Sequence, residues 1–287
     1  MGKTYEVLSG AGTAIWSGPG RRCNKIIGTY PCGARVNVLE ERTGWGRTDK
    51  GWVPLIYLDD VNSPPRVTDT GLYIQRDYIP AGRNNRPGGY NPDTFITIHE
   101  TGNTAAGADA AAHAAWLKGD EAARKQISYH YTVDDHSIIQ HLPDRETAYH
   151  AGDGTDGPGN TTSIGIELTV NKDGDFAQTQ ANAASLVRLL MKEHGISIDH
   201  VVQHNYWSGK DCPYNIRHTS SGWEDFLALS RGDSIIPSVL NADVDTLARA
   251  GIITAPDYWK TGVYSPANVK TLIGKMAAYV RRSEGTP

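Results

Sequence analysis

The chain has 287 residues, 39% of them hydrophobic and 21% charged, with a formal net charge of −4. That profile belongs to a globular protein of one to three domains, and it argues against a polybasic nucleic-acid binder or a basic membrane-surface peptide. No apolar run is long enough to span a bilayer, and the start MGKTYEVLSGAG lacks the basic residues and apolar stretch of a secretory signal. The expectation is synthesis in the cytoplasm without membrane insertion. Cys23, Cys32 and Cys212 form an odd set that does not describe a disulfide framework, although Cys23 and Cys32 can still pair.

From residue 4 to about 60 the pattern is one of short strands, YEVLSG, IIGTYP, ARVNVLEE, WGRTD and GWVPLIYL, divided by Gly, Pro and Asp turns. The SGPG turn at Ser17–Gly20, the turn at Gly33, and Trp45 and Trp52 resemble a bacterial SH3-like domain. That resemblance implies a small N-terminal β-barrel over residues 1–62 that binds cell-wall material; a barrel whose aromatics only fill its core has the same pattern. The segment VNSPPRVTDTG follows, and its paired prolines predict an extended, stiff linker over residues 63–72.

Residues 73–232 alternate strand-like and helix-like patterns. Phe95–His99 is a short apolar strand ending in a polar residue, and Ala105–Lys118 is an alanine-rich helix. Ser128–Asp134 and Ser137–Leu142 read as adjacent strands joined by a turn. Ser163–Val170 alternates, with Ile164, Ile166 and Leu168 on one face and Gly165 and Glu167 on the other. Thr179–His194 carries the apolar stripe of a surface helix closed by Gly195, and Asp199–His204 is a further strand. The fold class is α/β, a mixed central sheet flanked by helices. Residues 238–287 form a helical appendage, with helices over Ala242–Ala250 and Ala267–Arg282, and Tyr258 and Trp259 available to fill a small core.

The chemistry lies in the middle segment. A catalytic zinc takes three protein ligands and keeps one position open. His99 and His204 each end a predicted strand, and Cys212 lies eight residues past His204 across a loop long enough to bring its thiolate beside the imidazole. Such soft or borderline ligands suit zinc better than magnesium or calcium. Glu167 is a carboxylate on a strand whose other face is apolar, which is costly without a partner or a task. HETGN does not continue to a second histidine four residues on, so the zincin helix is absent.

FITIHETGN, SYHYTVDD, AYHAGDG, NTTSIGIEL and QHNYWSGKDCP occur in the order found in the amidase-2 family, and the likeness covers roughly residues 75–225. The resemblance implies an N-acetylmuramoyl-L-alanine amidase acting on bacterial peptidoglycan, with zinc as cofactor. It matches His99, His204 and Cys212 to the metal positions, Glu167 to the catalytic carboxylate, Lys210 to the oxyanion-stabilising lysine and Tyr129 to an aromatic near the metal. His150, Asn160 and Thr162 match blocks that shape the substrate groove. A phage or prophage endolysin, released to the wall by a holin-type partner, is the first expectation. A cytosolic muropeptide-recycling amidase and a non-catalytic peptidoglycan recognition module are the alternatives. His113, His130, His136, His141, His194, His200 and His218 receive no chemical role at this level.

Overall fold

The computed structural model describes residues 2–233, 238–259 and 266–283. The chain divides into two compact units, Met1–Asn215 and Ile216–Pro287.

The first unit opens with two small antiparallel sheets. One has three strands in the order Arg35–Val38, Lys3–Val7, Leu58–Asp60. The other has five, in the order Ile26–Tyr30, Thr13–Trp16, Trp52–Pro54, Trp45–Arg47, Glu40–Arg42. Alternate residues point inward and build one core from Tyr5, Val7, Ile15, Tyr30, Val36, Val38, Val53 and Leu58. Trp45 packs edge-to-face on Trp16 with ring centroids 6.1 Å apart. Among the described residues the strand pairing forms two sheets and does not close into one barrel.

The larger part of the unit is a six-stranded mixed sheet, in the order Val201–Gln203, Phe95–Glu100, Ser163–Leu168, Tyr131–Val133, Ile138–Gln140, Ile74–Arg76. All neighbours are parallel except Tyr131–Val133 with Ile138–Gln140, the hairpin expected from the Asp134–His136 turn. Ile96, Ile98, Ile164, Ile166 and Leu168 are wholly buried, as central parallel strands covered on both faces require. The helix Ala110–Leu117 starts five residues later than its alanine content suggests. Gly107 adopts φ +73° and Asp109 caps the first turn, accepting from the Ala112 N–H at 2.8 Å. The long helix Phe176–His194 starts three residues earlier than its apolar stripe, because Asp175 caps it, and it ends on Gly195 at φ +70°. His204 does not end a strand: the strand stops at Gln203, and His204 is the first residue of the short helix His204–Ser208.

The linker is tied down along its length. The Arg66 guanidinium meets the Tyr131 hydroxyl at 2.7 Å and Asp144 at 3.1 Å, and it also pairs with Glu193. Asp69 pairs with Arg188, and the Thr70 hydroxyl lies 3.2 Å from that of Ser185. A second clamp joins the small sheets to the large one. Arg86 and Glu146 form an ion pair at 2.9 Å with both side chains buried. Arg86 also donates to the Leu8 carbonyl at 2.5 Å, and Glu146 accepts from the Gly10 N–H at 3.1 Å.

In the second unit, helices Gly222–Arg231, Ser238–Arg249, Pro256–Trp259 and Pro266–Ser283 are described. Val244, Ile252 and Ile253 make its core, with Trp259 and Leu272 packed against them, so Trp259 serves as expected. On the helix Pro266–Ser283, Val269, Ile273, Met276 and Val280 are exposed.

His194 closes the last turn of the long helix, with Nε2 3.0 Å from Asp144 and Nδ1 paired with Asp93. Burial opposes its charge, but the two carboxylates prevail and raise its pKa from 6.5 to about 9. A group raised in this way stabilises the fold fully below about pH 6.5 and loses that contribution as pH rises through 9, an effect of roughly 3 kcal/mol at most. In urea titrations, His194→Gln is expected to lie well below wild type at pH 6, with the gap closing towards pH 10; a gap independent of pH would contradict this assignment.

Candidate active site

Parallel register brings the first two groups together. His99 and Glu167 are direct partners across adjacent strands, and Glu167 is in turn the partner of Thr132. The three side chains therefore emerge on one face, at the C-terminal ends of the parallel strands, where ligand sites of α/β sheets form. The short helix beginning at His204 brings a second imidazole over the same edge. The His99 and His204 Nδ1 atoms are 2.8 Å apart. The loop after that helix returns Cys212, and one donor atom from each of His99, His204 and Cys212 lies within 4.8 Å of the other two. All three residues are buried.

This set is suited to a metal by its chemistry. Burial holds His99 well below its ordinary pKa and lowers His204 to about 4, so both imidazoles keep lone pairs to donate. Burial also pushes the Cys212 thiol up to about 12, with the Glu167 charge adding to the effect, so a thiolate there calls for a nearby cation. The Glu100 N–H donates to Cys212 Sγ at 3.4 Å. Two imidazoles and a thiol match zinc, and Glu167 Oε2 is a buried carboxylate oxygen with no hydrogen-bond partner among the described residues, as a catalytic group facing a metal-activated water would have. Two other groups have metal-like composition, Asp134–Asp135–His136 and Asp144–Glu193–His194. In the first, Asp134 is saturated by donors from Ala110, His136 and Ser137; in the second, the charges are matched by Arg66 and His194.

Behind His99, His204 and Cys212 stands His150. Its Nδ1 lies 2.9 Å from His99 Nε2, on the side away from His204. The imidazole rests on Gly165, where any Cβ would come within 2.8 Å of the ring. That contact explains the glycine between Ile164 and Ile166. Asn160 holds the His150 loop: its Oδ1 accepts from the N–H groups of His150 at 2.7 Å and Ala151 at 2.8 Å, and its amide donates to the Gly154 carbonyl at 2.9 Å.

The open side is a cleft with two lobes, of 370 Å³ and 550 Å³, which share Ile127, Tyr129, Glu167 and Lys210. The first lobe adds His113 and Trp116 from the helix Ala110–Leu117; the second adds His150, Asn160, His204 and Ser208. Burial raises the Glu167 pKa from 4.5 to about 8, with Lys210 pulling it down and Glu100 pushing it up. Burial and the Glu167 charge raise Tyr129 as well, so its phenol remains a proton donor.

The structure thus gathers His99, His204, Cys212, Glu167, Lys210, Tyr129 and His150 at one place. Thr162 is not among the residues lining either lobe; its hydroxyl donates to the Pro158 carbonyl at 2.7 Å. The sequence reading passed over His113 and Trp116. Their three-residue spacing on an alanine-rich helix was the available signal, since polar and aromatic side chains on such a helix mark the face it presents to something.

The amidase-2 family model, described as N-acetylmuramoyl-L-alanine amidase, matches residues 89–215. N-acetylmuramoyl-L-alanine amidase XlyA of Bacillus subtilis (strain 168) is 50% identical over 183 residues, covering 63% of this chain and 59% of XlyA. N-acetylmuramoyl-L-alanine amidase CwlH of the same strain is 49% identical over 154 residues, covering 54% of this chain and 59% of CwlH. This chain therefore spans 59% of the length of both curated relatives. The solved catalytic domain of XlyA superposes with a TM-score of 0.51 at 52% identity, over 55% of this chain and 98% of that domain.

Gly165→Ala is expected to displace His150 from His99. Loss of such support behind a metal ligand typically weakens metal affinity ~10–100-fold. Zinc titration against a competing chelator reads this directly, and unchanged affinity would show that His150 gives His99 no support.

Proposed function

Because this chain belongs to the amidase-2 family, we propose that it is a zinc-dependent N-acetylmuramoyl-L-alanine amidase that hydrolyses the amide between N-acetylmuramic acid and L-alanine in peptidoglycan. The observation that carries this reading is the in-register pairing of His99 with Glu167, beside His204 and Cys212, where Glu167 and His204 line the cleft and His99 and Cys212 are buried next to them. His99, His204 and Cys212 would hold the zinc, which when bound would polarise a water molecule and the lactyl carbonyl.

The remaining steps fall to the chain's own groups. Glu167 takes a proton from the attacking water and delivers it to the departing L-alanine nitrogen. Its burial favours the protonated carboxyl and Lys210 favours the ionised one, so the group is set to work in both directions. Lys210 and the Tyr129 hydroxyl lie over the same space and steady the oxyanion as the carbonyl becomes tetrahedral. The two lobes meeting at Glu167 offer one arm for the glycan and one for the peptide stem.

The N-terminal sheets serve, in this reading, as an SH3-like wall-binding module that raises the local concentration of the cleft at its substrate. A phage or prophage endolysin reaching the wall after holin-type release fits that arrangement better than a recycling enzyme for small soluble muropeptides, which needs no wall contact.

The test is hydrolysis of purified peptidoglycan, scoring new amino groups against new reducing sugar ends. Wild type is expected to release L-alanine amino groups, and chelation to abolish the release. Glu167→Gln is expected to lower the rate by ~10²–10⁴-fold. New reducing ends instead would make the protein a glycosidase, and binding without cleavage by the zinc-loaded protein would make it a recognition module.

A further inference from the structure

Two histidines near the cleft, His113 and His141, have no place in the steps above, yet both touch Tyr129. The Tyr129 hydroxyl lies 3.4 Å from His113 Nδ1. The His141 ring meets the Tyr129 ring edge-to-face, with centroids 5.6 Å apart and planes at 78°. His141 Nε2 lies 2.8 Å from the Thr132 hydroxyl. Thr132 is the sheet partner of Glu167, so the chain of contacts that begins at Tyr129 ends beside the acid–base carboxylate. His141 and Thr132 are wholly buried, whereas His113 and Tyr129 both line the smaller lobe of the cleft.

We infer that His113 and His141 are positioning residues that act through Tyr129: His141 fixes the plane of the phenol, and His113 holds its hydroxyl over the cleft until a substrate carbonyl takes its place. This inference rests on the amidase reading of the site. A rigid aromatic wall and a weak hydroxyl contact divide the task. The ring cannot tilt, because His141 is pinned to Thr132 and Thr132 to the sheet. The hydroxyl also meets the Thr132 side chain, and its O–H can turn away from His113, because a hydrogen bond of 3.4 Å is near the limit of a useful interaction and costs little to exchange.

Burial supports this division. It lowers the pKa of His113 and takes that of His141 to about 3, so both rings remain uncharged. Tyr129 keeps its proton for the reason already given. A neutral acceptor facing a neutral donor leaves the proton on the phenol, ready for an oxyanion. His113 is also well anchored, since Asp134 accepts from the Ala110 N–H at 3.0 Å and ties its helix to the strand that carries Thr132.

The experiment is a kinetic double-mutant cycle on the zinc-loaded full chain, using a muramyl-peptide amide and reading kcat and KM separately. Tyr129→Phe removes an oxyanion donor and is expected to lower kcat by ~10²-fold. His113→Phe is expected to lower kcat by ~10-fold with KM nearly unchanged, the signature of an interaction made in the transition state. His113→Asn, which restores a polar atom near the Nδ1 position, is expected to recover most of that loss. In the Tyr129→Phe background, His113→Phe is expected to cost nothing further. His141→Phe, which keeps an aromatic edge against Tyr129 but frees it from Thr132, should show the same non-additivity, with zinc content and melting temperature confirming a native fold. Losses that multiply, a change confined to KM, or no rescue by asparagine would each overturn the inference while leaving the amidase reading intact. A wild type that releases no amino groups from any substrate would remove that reading, and the inference with it.

Discussion

The register between the strands Phe95–Glu100 and Ser163–Leu168 is the constraint on which the cleft depends. It sets His99 beside Glu167 and Thr97 beside Gly165. Because side chains alternate along a strand, a slip of one residue would carry Glu167 to the apolar face and Ile166 to the cleft. The register is enforced by what lies on each side. Ile164, Ile166 and Leu168 are wholly buried on one face, and on the other Gly165 is the seat for an imidazole that no larger residue permits. Packing on one side and absence of a side chain on the other specify the same alignment.

Around that register, polar groups are held in the interior at considerable desolvation cost. His99, His130, His141, His150 and His204 are all buried, and the pKa of each is lowered. Most are satisfied by another fixed group: His130 Nδ1 accepts from the Gly165 N–H at 2.9 Å, and His150 meets His99. Kept neutral, these rings do not repel one another or a bound cation, which is the condition under which so many of them can share one interior. On the opposite side of the sheet the arrangement is reversed: Arg66, His194, Asp93 and Asp144 are charged and paired, and there burial is compensated by attraction.

Much of this was legible in the sequence. Period-two and period-3.6 patterns located the central strands and the long helix, and the spacing of His99, His204 and Cys212 pointed to three donor groups that the structure brings within 4.8 Å of one another. Helix starts were read less well, because Asp109 and Asp175 act by capping, a local hydrogen bond that an apolar stripe does not report. His150 was read as part of the groove, and it lines the cleft while also standing against His99; that second contact crosses from one loop to another strand, which no local pattern encodes. The linker was read as a stiff tether from its prolines. Arg66, Asp69 and Thr70 make it a strap, and their partners Asp144, Glu193, Arg188 and Ser185 are too distant in sequence to be inferred.

The Arg86–Glu146 clamp has a consequence for how the first unit unfolds. Each member is buried, and each also holds a backbone atom of the N-terminal sheets, through Leu8 and Gly10. Pulling those sheets away would open a charged pair to water on one side and leave the Leu8 carbonyl and the Gly10 N–H without their partners on the other. Neither half can therefore melt without disturbing the other, and a single cooperative transition should report on both. The part beyond the linker, cut free from these sheets, would not be the same fold with a piece removed. It would be a protein with a newly exposed seam, and that seam would need its own repair before the segment's stability could be compared with that of the parent chain.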